Sequence, residues 1–251
     1  MKRNKLVSII TPSFNSARFI EECILSVISQ TYINWEMLIV DDCSQDNSVD
    51  IISKFSNNET RIRLFCLEKN VGPAEARNIA IRNASGKYIA FLDSDDIWCS
   101  NKLEDQLKFM EKNNVEFSFT SYQCVNENGD DMNKIIKAPK KMTYHSYLKN
   151  TIIGCLTVII DKEKTGHFEM PIIKSSQDMA LWLNIMKKGF TAYGLDINLA
   201  KYRIVSSSNT SNKLNAARDV WQVYRKIEKL SVLYSMWCWM NYAYNAIIKR
   251  L

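Results

Sequence analysis

Four groups of residues along the 251-residue chain carry side chains that could do chemistry together. Asp93-Ser94-Asp95 sets two carboxylates one residue apart at the end of an apolar run, Tyr88 to Leu92. Carboxylates so spaced can converge on one divalent cation, and Mg²⁺ and Mn²⁺ take oxygen ligands while keeping positions open for phosphate oxygens. Asp41-Asp42 closes a second apolar run, Met37 to Val40. A carboxylate there can accept from a base N–H or from ribose hydroxyls. Asn70-x-Gly72-Pro73-x-x-x-Arg77-Asn78 follows a third run, with Gly72 permitting a tight turn and Arg77 able to reach a phosphate. Asp178 stands far along the chain, where a helical pattern containing Leu181 and Trp182 begins. Each group also has a purely structural reading: a solvated acidic turn, a helix cap, a surface arginine, a carboxylate favoured by a helix dipole. Taken singly, none decides between the two.

The elements that must position these groups alternate. Val7 to Ile10 is a short buried strand ended by Thr11-Pro12. Ser16 offers an N-cap to a helix over about residues 17–30, where Ile20, Cys23, Ile24, Val27 and Ile28 recur at helical spacing. Strands at Met37–Val40, Arg63–Leu67 and Tyr88–Leu92 alternate with helices at Ser48–Phe55 and Ala74–Asn83. Such alternation predicts right-handed βαβ units and a mostly parallel sheet. Strands apolar throughout are covered on both faces, and the polar residues gather after their C-terminal ends, where open α/β sheets bind ligands. Beyond about residue 115 the pattern changes: Phe117–Tyr122 and Leu156–Ile160 read as strands joined by a longer polar link, and Gln177–Lys188 as a strong helix. Residues 203–215, rich in Ser and Asn, read as a mobile loop, and the last forty residues as helical.

Composition sets the outer bounds. Apolar residues make up 46% of the chain, with only 7 Gly and 4 Pro, which is globular rather than fibrous or disordered. The net charge of +6 suits a solvated basic surface, an anionic substrate or an anionic membrane. No basic–aromatic motif accompanies it, so no nucleic-acid partner is expected. Seven cysteines without CxxC spacing suggest neither a zinc site nor a redox pair. Their odd number and the short run Leu6–Ile10, which reads as a strand rather than a signal peptide, point to a reduced cytoplasmic compartment. No run reaches the roughly 18 uninterrupted apolar residues that suggest a membrane span.

Together and in this order, the groups resemble the family 2 glycosyltransferases of the GT-A fold. The matching segments are Val7-Ser-Ile-Ile-Thr-Pro-Ser-Phe-Asn15, Leu38-Ile-Val-Asp-Asp-Cys-Ser-Gln-Asp46, Asn70-Val-Gly-Pro-Ala-Glu-Ala-Arg-Asn-Ile-Ala80, Gly86-Lys-Tyr-Ile-Ala-Phe-Leu-Asp-Ser-Asp-Asp96 and Ser176-Gln-Asp-Met-Ala-Leu-Trp-Leu183, so the likeness covers roughly residues 5–205. It implies an α/β fold, a Rossmann-like, mostly parallel sheet flanked by helices. A GT-A domain would fill residues 1–215, with a nucleotide-sugar half over 1–115 and an acceptor half over 116–215, and a helical appendage would follow over 216–251. It further implies that Pro12, Phe14 and Asn15 line the uridine pocket and that Asp42 holds the base. Asn70 and Ser94 would belong to the same pocket, with Arg77 near the diphosphate or ordering the metal site. Asp93 would touch ribose or metal, Asp95 would bind Mn²⁺ or Mg²⁺ directly, and Asp178 would be the catalytic base of an inverting transfer. Many family members carry Glu-Asp where this chain has Gln177-Asp178, and the histidine that some carry after the Tyr202-Arg203 position is absent. Likeness to bacterial transferases of surface polysaccharide (O-antigen, capsule, teichuronic acid) implies a UDP-sugar donor and a glycan or lipid-linked acceptor.

On a helical projection of residues 231–251, Ser231, Ser235, Asn241, Asn245 and Lys249 share one face. Apolar residues, Trp237 and Trp239 among them, cover the rest, and Lys249-Arg250 make a basic end. This suits a helix lying in an anionic membrane interface, and equally one packed on the domain or on a second subunit. Two other functions compete with sugar transfer. A nucleotidyltransferase needs a Gly- and basic-rich loop after the first strand, and Thr11–Asn15 has neither Gly nor Lys. A non-catalytic sugar-nucleotide module would have no use for Asp178.

Overall fold

A computed structural model of the chain describes residues 5–205 and 213–248. Its first half runs β1 (Val7–Ser13), α1 (Ile20–Ile28), β2 (Trp35–Asp41), α2 (Ser48–Asn58), β3 (Ile62–Cys66), α3 (Pro73–Asn83) and β4 (Tyr88–Phe91). These strands lie parallel in the order β3-β2-β1-β4, with Ser13 beside Asp41 and Ile10 beside Phe91. All their C-terminal ends therefore open on one edge. Successive β1 side chains alternate between faces: Ile9 joins the core against α1 and α2, and Ile10 the core against α3. β1, β2 and β4 are buried nearly throughout, as their unbroken apolar runs predict. At the sheet edge, β3 is instead half exposed.

The second half adds β5 (Ile97–Trp98), α4 (Lys102–Asn113), β6 (Phe117–Val125), β7 (Asp131–Ile136), β8 (Lys141–Met142), α5 (Tyr144–Tyr147), β9 (Ile159–Asp161), α6 (Lys162–Thr165), α7 (Gln177–Lys187) and β10 (Ala192–Arg203). β9 is antiparallel to both β4 and β6 and so stitches the halves into one sheet, which continues through β10 to β5. Leu156 belongs to a 3₁₀ turn, Cys155–Thr157, that precedes β9. Ser16 does not cap α1 with its side chain. The helix starts later, after Phe19, and the Ser16 hydroxyl lies 2.8 Å from that of Ser13.

The C-terminal region is α8 (Lys213–Gln222), a π-helical turn (Val223–Ile227) and α9 (Val232–Ile248). Val220, Val223, Tyr224 and Cys238 belong to the same core as α3 and α7. Most of the Ser/Asn-rich stretch expected to be mobile, residues 206–212, lies outside the described residues, as do Lys249 and Arg250. Among the described residues, no helix is long and apolar enough to cross a membrane.

Candidate active site

Parallel pairing brings the ends of β1, β2 and β4 side by side, so the predicted donor residues are neighbours by construction. Asp42 is buried, and both its oxygens are engaged: the amides of Val71 and Gly72 donate to them at 2.7 and 2.8 Å. The Asn70 amide donates to the Asp42 carbonyl at 3.1 Å. Gly72 takes φ +87, a left-handed value that suits glycine, and this delivers its N–H to Asp42 just before Pro73 opens α3. Asp42 thus holds the 70–72 turn. Each carboxylate oxygen has a second lone pair, which leaves room for a base N–H. Asp41 accepts from Ser13 Oγ and from the amide and hydroxyl of Ser44. The Asn15 side chain accepts from the Gln45 amide at 2.8 Å, lacing the β1 and β2 loops together. Phe14 stands exposed beside them.

Arg77 reaches from α3 to the end of β4, where its guanidinium donates to Asp93 Oδ1 at 2.5 Å. The residue is buried, and its Nε has no hydrogen-bond partner. An orphaned cationic donor at a strand end suits an anionic ligand such as a diphosphate. Burial disfavours its charge, but Asp93 foremost, then Cys155 and Asp178, hold its pKa above the ordinary arginine value. Three carboxylates crowd this turn. Burial and then Asp93 push Asp95 up to about 6, and burial with the charges of Asp95 and Asp93 pushes Asp96 well above the carboxylate range. Asp93 and Asp95 remain partly open. Their oxygen-only chemistry and the crowding of three carboxylates fit Mg²⁺ or Mn²⁺. Among the described residues there is no cluster of three or more His, Cys, Asp or Glu that could hold an ion.

Asp178 lies in the first turn of α7, preceded by Ser176 at φ +58. Burial raises its pKa, the Met179 amide and Arg77 lower it, and Asp93 raises it. Asp178 therefore lies within electrostatic reach of the Arg77–Asp93 pair. One turn on, Trp182 is fully buried, with ring centroids 5.3 Å from Phe91 of β4 and 5.4 Å from Phe117 of β6. Gln177 uses its amide as a donor, to the carbonyls of Ile173 at 2.9 Å and Lys174 at 3.3 Å. A glutamate could not make these bonds, and this gives the Gln177-Asp178 departure a local cause.

Two site residues escape motif reading. Arg203, at the end of β10, binds the back of the acidic turn. Its amide donates to Asp96 Oδ1 at 2.9 Å, its Nε to the Asp95 carbonyl at 2.9 Å, and its two terminal nitrogens to Glu127 O at 3.0 Å and Glu22 Oε2 at 2.5 Å. The Tyr202-Arg203 segment is visible in sequence, but nothing in its spacing reveals this target. Cys155, on the 3₁₀ turn, feels Asp93, Arg77 and Asp178, and burial keeps its thiol protonated. No sequence signal marks it. The turn is held from behind by Trp98 Nε1 on Leu156 O at 2.8 Å and Gln106 Nε2 on Thr157 O at 2.9 Å.

A parallel half-sheet with an acidic pair and a buried arginine at its strand ends, faced by a carboxylate from a second half, defines a GT-A glycosyltransferase. The chain belongs to glycosyl transferase family 2, whose model matches residues 8–169. It is 51% identical to TuaG of Bacillus subtilis (strain 168), named for teichuronic acid biosynthesis, over 98% of each chain. It is 44% identical to the Escherichia coli UDP-Glc:alpha-D-GlcNAc-diphosphoundecaprenol beta-1,3-glucosyltransferase WfgD, over 87% of this chain and 85% of that one. The fold is shared with Staphylococcus aureus TarS 1–349 in complex with UDP-GlcNAc, at TM-score 0.72 and 23% identity, covering 88% of this chain and 64% of that one. It is shared also with the Pyrobaculum calidifontis mannosyltransferase PcManGT in complex with GDP-Man and Mn²⁺, at TM-score 0.69 and 18% identity, over 95% and 73% of the two chains. Family membership sets the nucleotidyltransferase reading aside.

Proposed function

We propose that this glycosyltransferase moves a sugar from a UDP-sugar to a hydroxyl of a lipid-linked glycan at the inner face of the cytoplasmic membrane, inverting the anomeric centre, in surface-polysaccharide synthesis. The observation that carries the reading is the packing of Trp182, one turn after Asp178 in α7, on Phe91 at the end of β4, with Asp178 in electrostatic reach of the Arg77–Asp93 pair. Relatives named for teichuronic acid and for a diphosphoundecaprenol-linked acceptor support the acceptor class. In this reading Pro12, Phe14 and Asn15 border the base, Asp42 and Asn70 shape its pocket, and Ser94 lies along the donor. A Mg²⁺ or Mn²⁺ held by Asp95 and Asp93 would offset charge growing on the departing diphosphate. Arg77 adds a fixed cation to the same oxygens. Asp178 accepts the proton of the acceptor hydroxyl as that oxygen attacks the anomeric carbon. A single base on the face away from the leaving group gives one displacement and hence inversion.

The test is Asp178→Asn, which keeps the shape and removes the proton acceptor. Turnover with a panel of UDP-sugars and Mn²⁺ should fall on the order of 10²-fold or more, with UDP affinity by calorimetry nearly unchanged. Product NMR should show the anomeric configuration opposite to the donor's. A retained configuration, or near-normal turnover in the variant, would refute the mechanism.

A further inference from the structure

A helix of a soluble core turns its apolar stripe inward, whereas α9 carries a second apolar stripe on its outward side. Its inward side mixes small residues with Tyr234, Trp239 and Tyr242, which pack against the core. Ser235 and Cys238 are fully buried, the Asn245 amide donates to Lys149 O at 3.0 Å, and Trp239 Nε1 donates to Ala217 O of α8 at 3.0 Å. Its outward side is Leu233, Met236, Trp237, Met240 and Tyr244, with Leu233 81% and Trp237 53% exposed. The spacing i, i+3, i+4, i+7, i+11 is one stripe, about 17 Å long at the helical rise. Between α9 and α8 an open groove of about 430 Å³ is lined by Ala217, Arg218, Trp221, Met236 and Trp239.

The net charge of the C-terminal segment selects the occupant of this stripe. Residues 213–251 hold seven lysines and arginines against Asp219 and Glu228, a net +5 of the chain's +6. Glu228 is already neutralised, its carboxylate bonded to Lys187 Nζ at 2.8 Å and Tyr144 Oη at 2.6 Å. A second copy facing this surface across a two-fold axis would set like charge on like. An anionic bilayer complements both the charge and the apolar stripe, and tryptophan suits the headgroup depth.

We propose that the outward face of α8–α9 docks on anionic phospholipid, with α9 lying in the plane of the interface and Leu233, Trp237 and Met240 inserted. The surface deepens the lipid-linked-acceptor reading and rests on that reading for its purpose: it would keep the catalytic cleft beside an acceptor confined to the membrane.

The full chain is floated with phosphatidylcholine vesicles with and without about a third phosphatidylglycerol, beside the triple variant Leu233→Ser, Trp237→Ser, Met240→Ser. These side chains are exposed, so the variant should keep its circular dichroism and melting temperature. The intact chain should float only with the anionic vesicles and be released by salt, and the variant should bind at least tenfold more weakly. Turnover on a water-soluble acceptor should match between the two, while turnover on a lipid-linked acceptor in vesicles falls in the variant. Equal flotation of both chains, absence of the intact chain from anionic vesicles, or a dimer of the intact chain that the variant dissolves would each overturn the docking surface. Turnover of lipid-linked acceptor without vesicle binding would remove the surface and spare the functional reading. Vesicle binding without transfer to either acceptor would do the reverse.

Discussion

Lys102 offers the sharpest quantitative check on the packing behind the site. It is fully buried at the start of α4, and among the described residues no carboxylate is bonded to it. Its Nζ faces two acceptors, Gln106 Oε1 at 2.5 Å and Thr157 O at 3.3 Å. A neutral amine has two N–H groups for those two acceptors. An ammonium would have a third, with only the Trp98 ring, 4.9 Å from Nζ, beside it. Burial accordingly lowers the Lys102 pKa from 10.5 to about 7. The unfolded chain then binds a proton that the folded chain does not, so stability must rise with pH between about 7 and 10.5, and the penalty is complete below 7. At about 1.4 kcal/mol per pH unit at most, the gain from pH 7 to pH 9 is about 2 kcal/mol. Buried cysteines with raised pKa values act in the opposite direction near pH 9, so the comparison must be made against Lys102→Met. Urea unfolding of both chains at several pH values reads the difference. The variant carries a constant offset from the unpaired Gln106 oxygen, but the wild-type-minus-variant stability should climb by about 2 kcal/mol from pH 7 to pH 9. A flat difference would mean that Lys102 stays charged when buried, and the reasoning would fail.

Two further substitutions address the site itself. Arg203→Lys keeps the charge but loses the fork that grips Asp95 O and Glu22. UDP affinity in Mn²⁺ should fall on the order of tenfold, as loss of one charged hydrogen bond implies, with a smaller change in EDTA; equal losses in both conditions would show that Arg203 does not order the acidic turn. Gln177→Glu restores an acid beside Asp178 but turns an oxygen toward the carbonyls of Ile173 and Lys174. Stability should drop by about 1–3 kcal/mol and turnover should fall, whereas higher turnover would mean that the amide is not what seats the base.

The donor half was legible because its physics is local. Its buried strands are short apolar runs, β2 and β4 stopped by acids and β1 by Thr11-Pro12, and parallel pairing carries those stops to one edge. The acceptor half hides for identifiable reasons. β10 runs through Asp196, Asn198 and Lys201, and its pairing with β6 shifts register between Leu195 and Asn198 and again between Asn198 and Lys201, which destroys the two-residue alternation. α4 buries Lys102 and Gln106 together with Leu103, Leu107 and Met110, so two of the residues on its inner face read as surface. For α9 the projection separates a polar face from a wide apolar one but leaves open which one meets the protein: Trp239 of the apolar set packs on the core, and Asn245 bonds to the Lys149 carbonyl, which only the fold brings near.

The placement of Asp178 was legible only by resemblance, and the structure supplies its cause. Trp182 stands one helical turn after Asp178, and its ring packs on Phe91, two residues before Asp93. One strand, β4, therefore fixes both the acidic turn and the helix that carries Asp178. β9, antiparallel to β4 and β6, clamps the second wall of the same aromatic pocket, where Phe117 meets Trp182. A rigid aromatic contact of this kind is what the proposed base at Asp178 needs, because proton transfer demands placement to a fraction of an ångström. This packing explains why a carboxylate 85 positions beyond Asp93 can share its electrostatic field without any local sequence signal that it should.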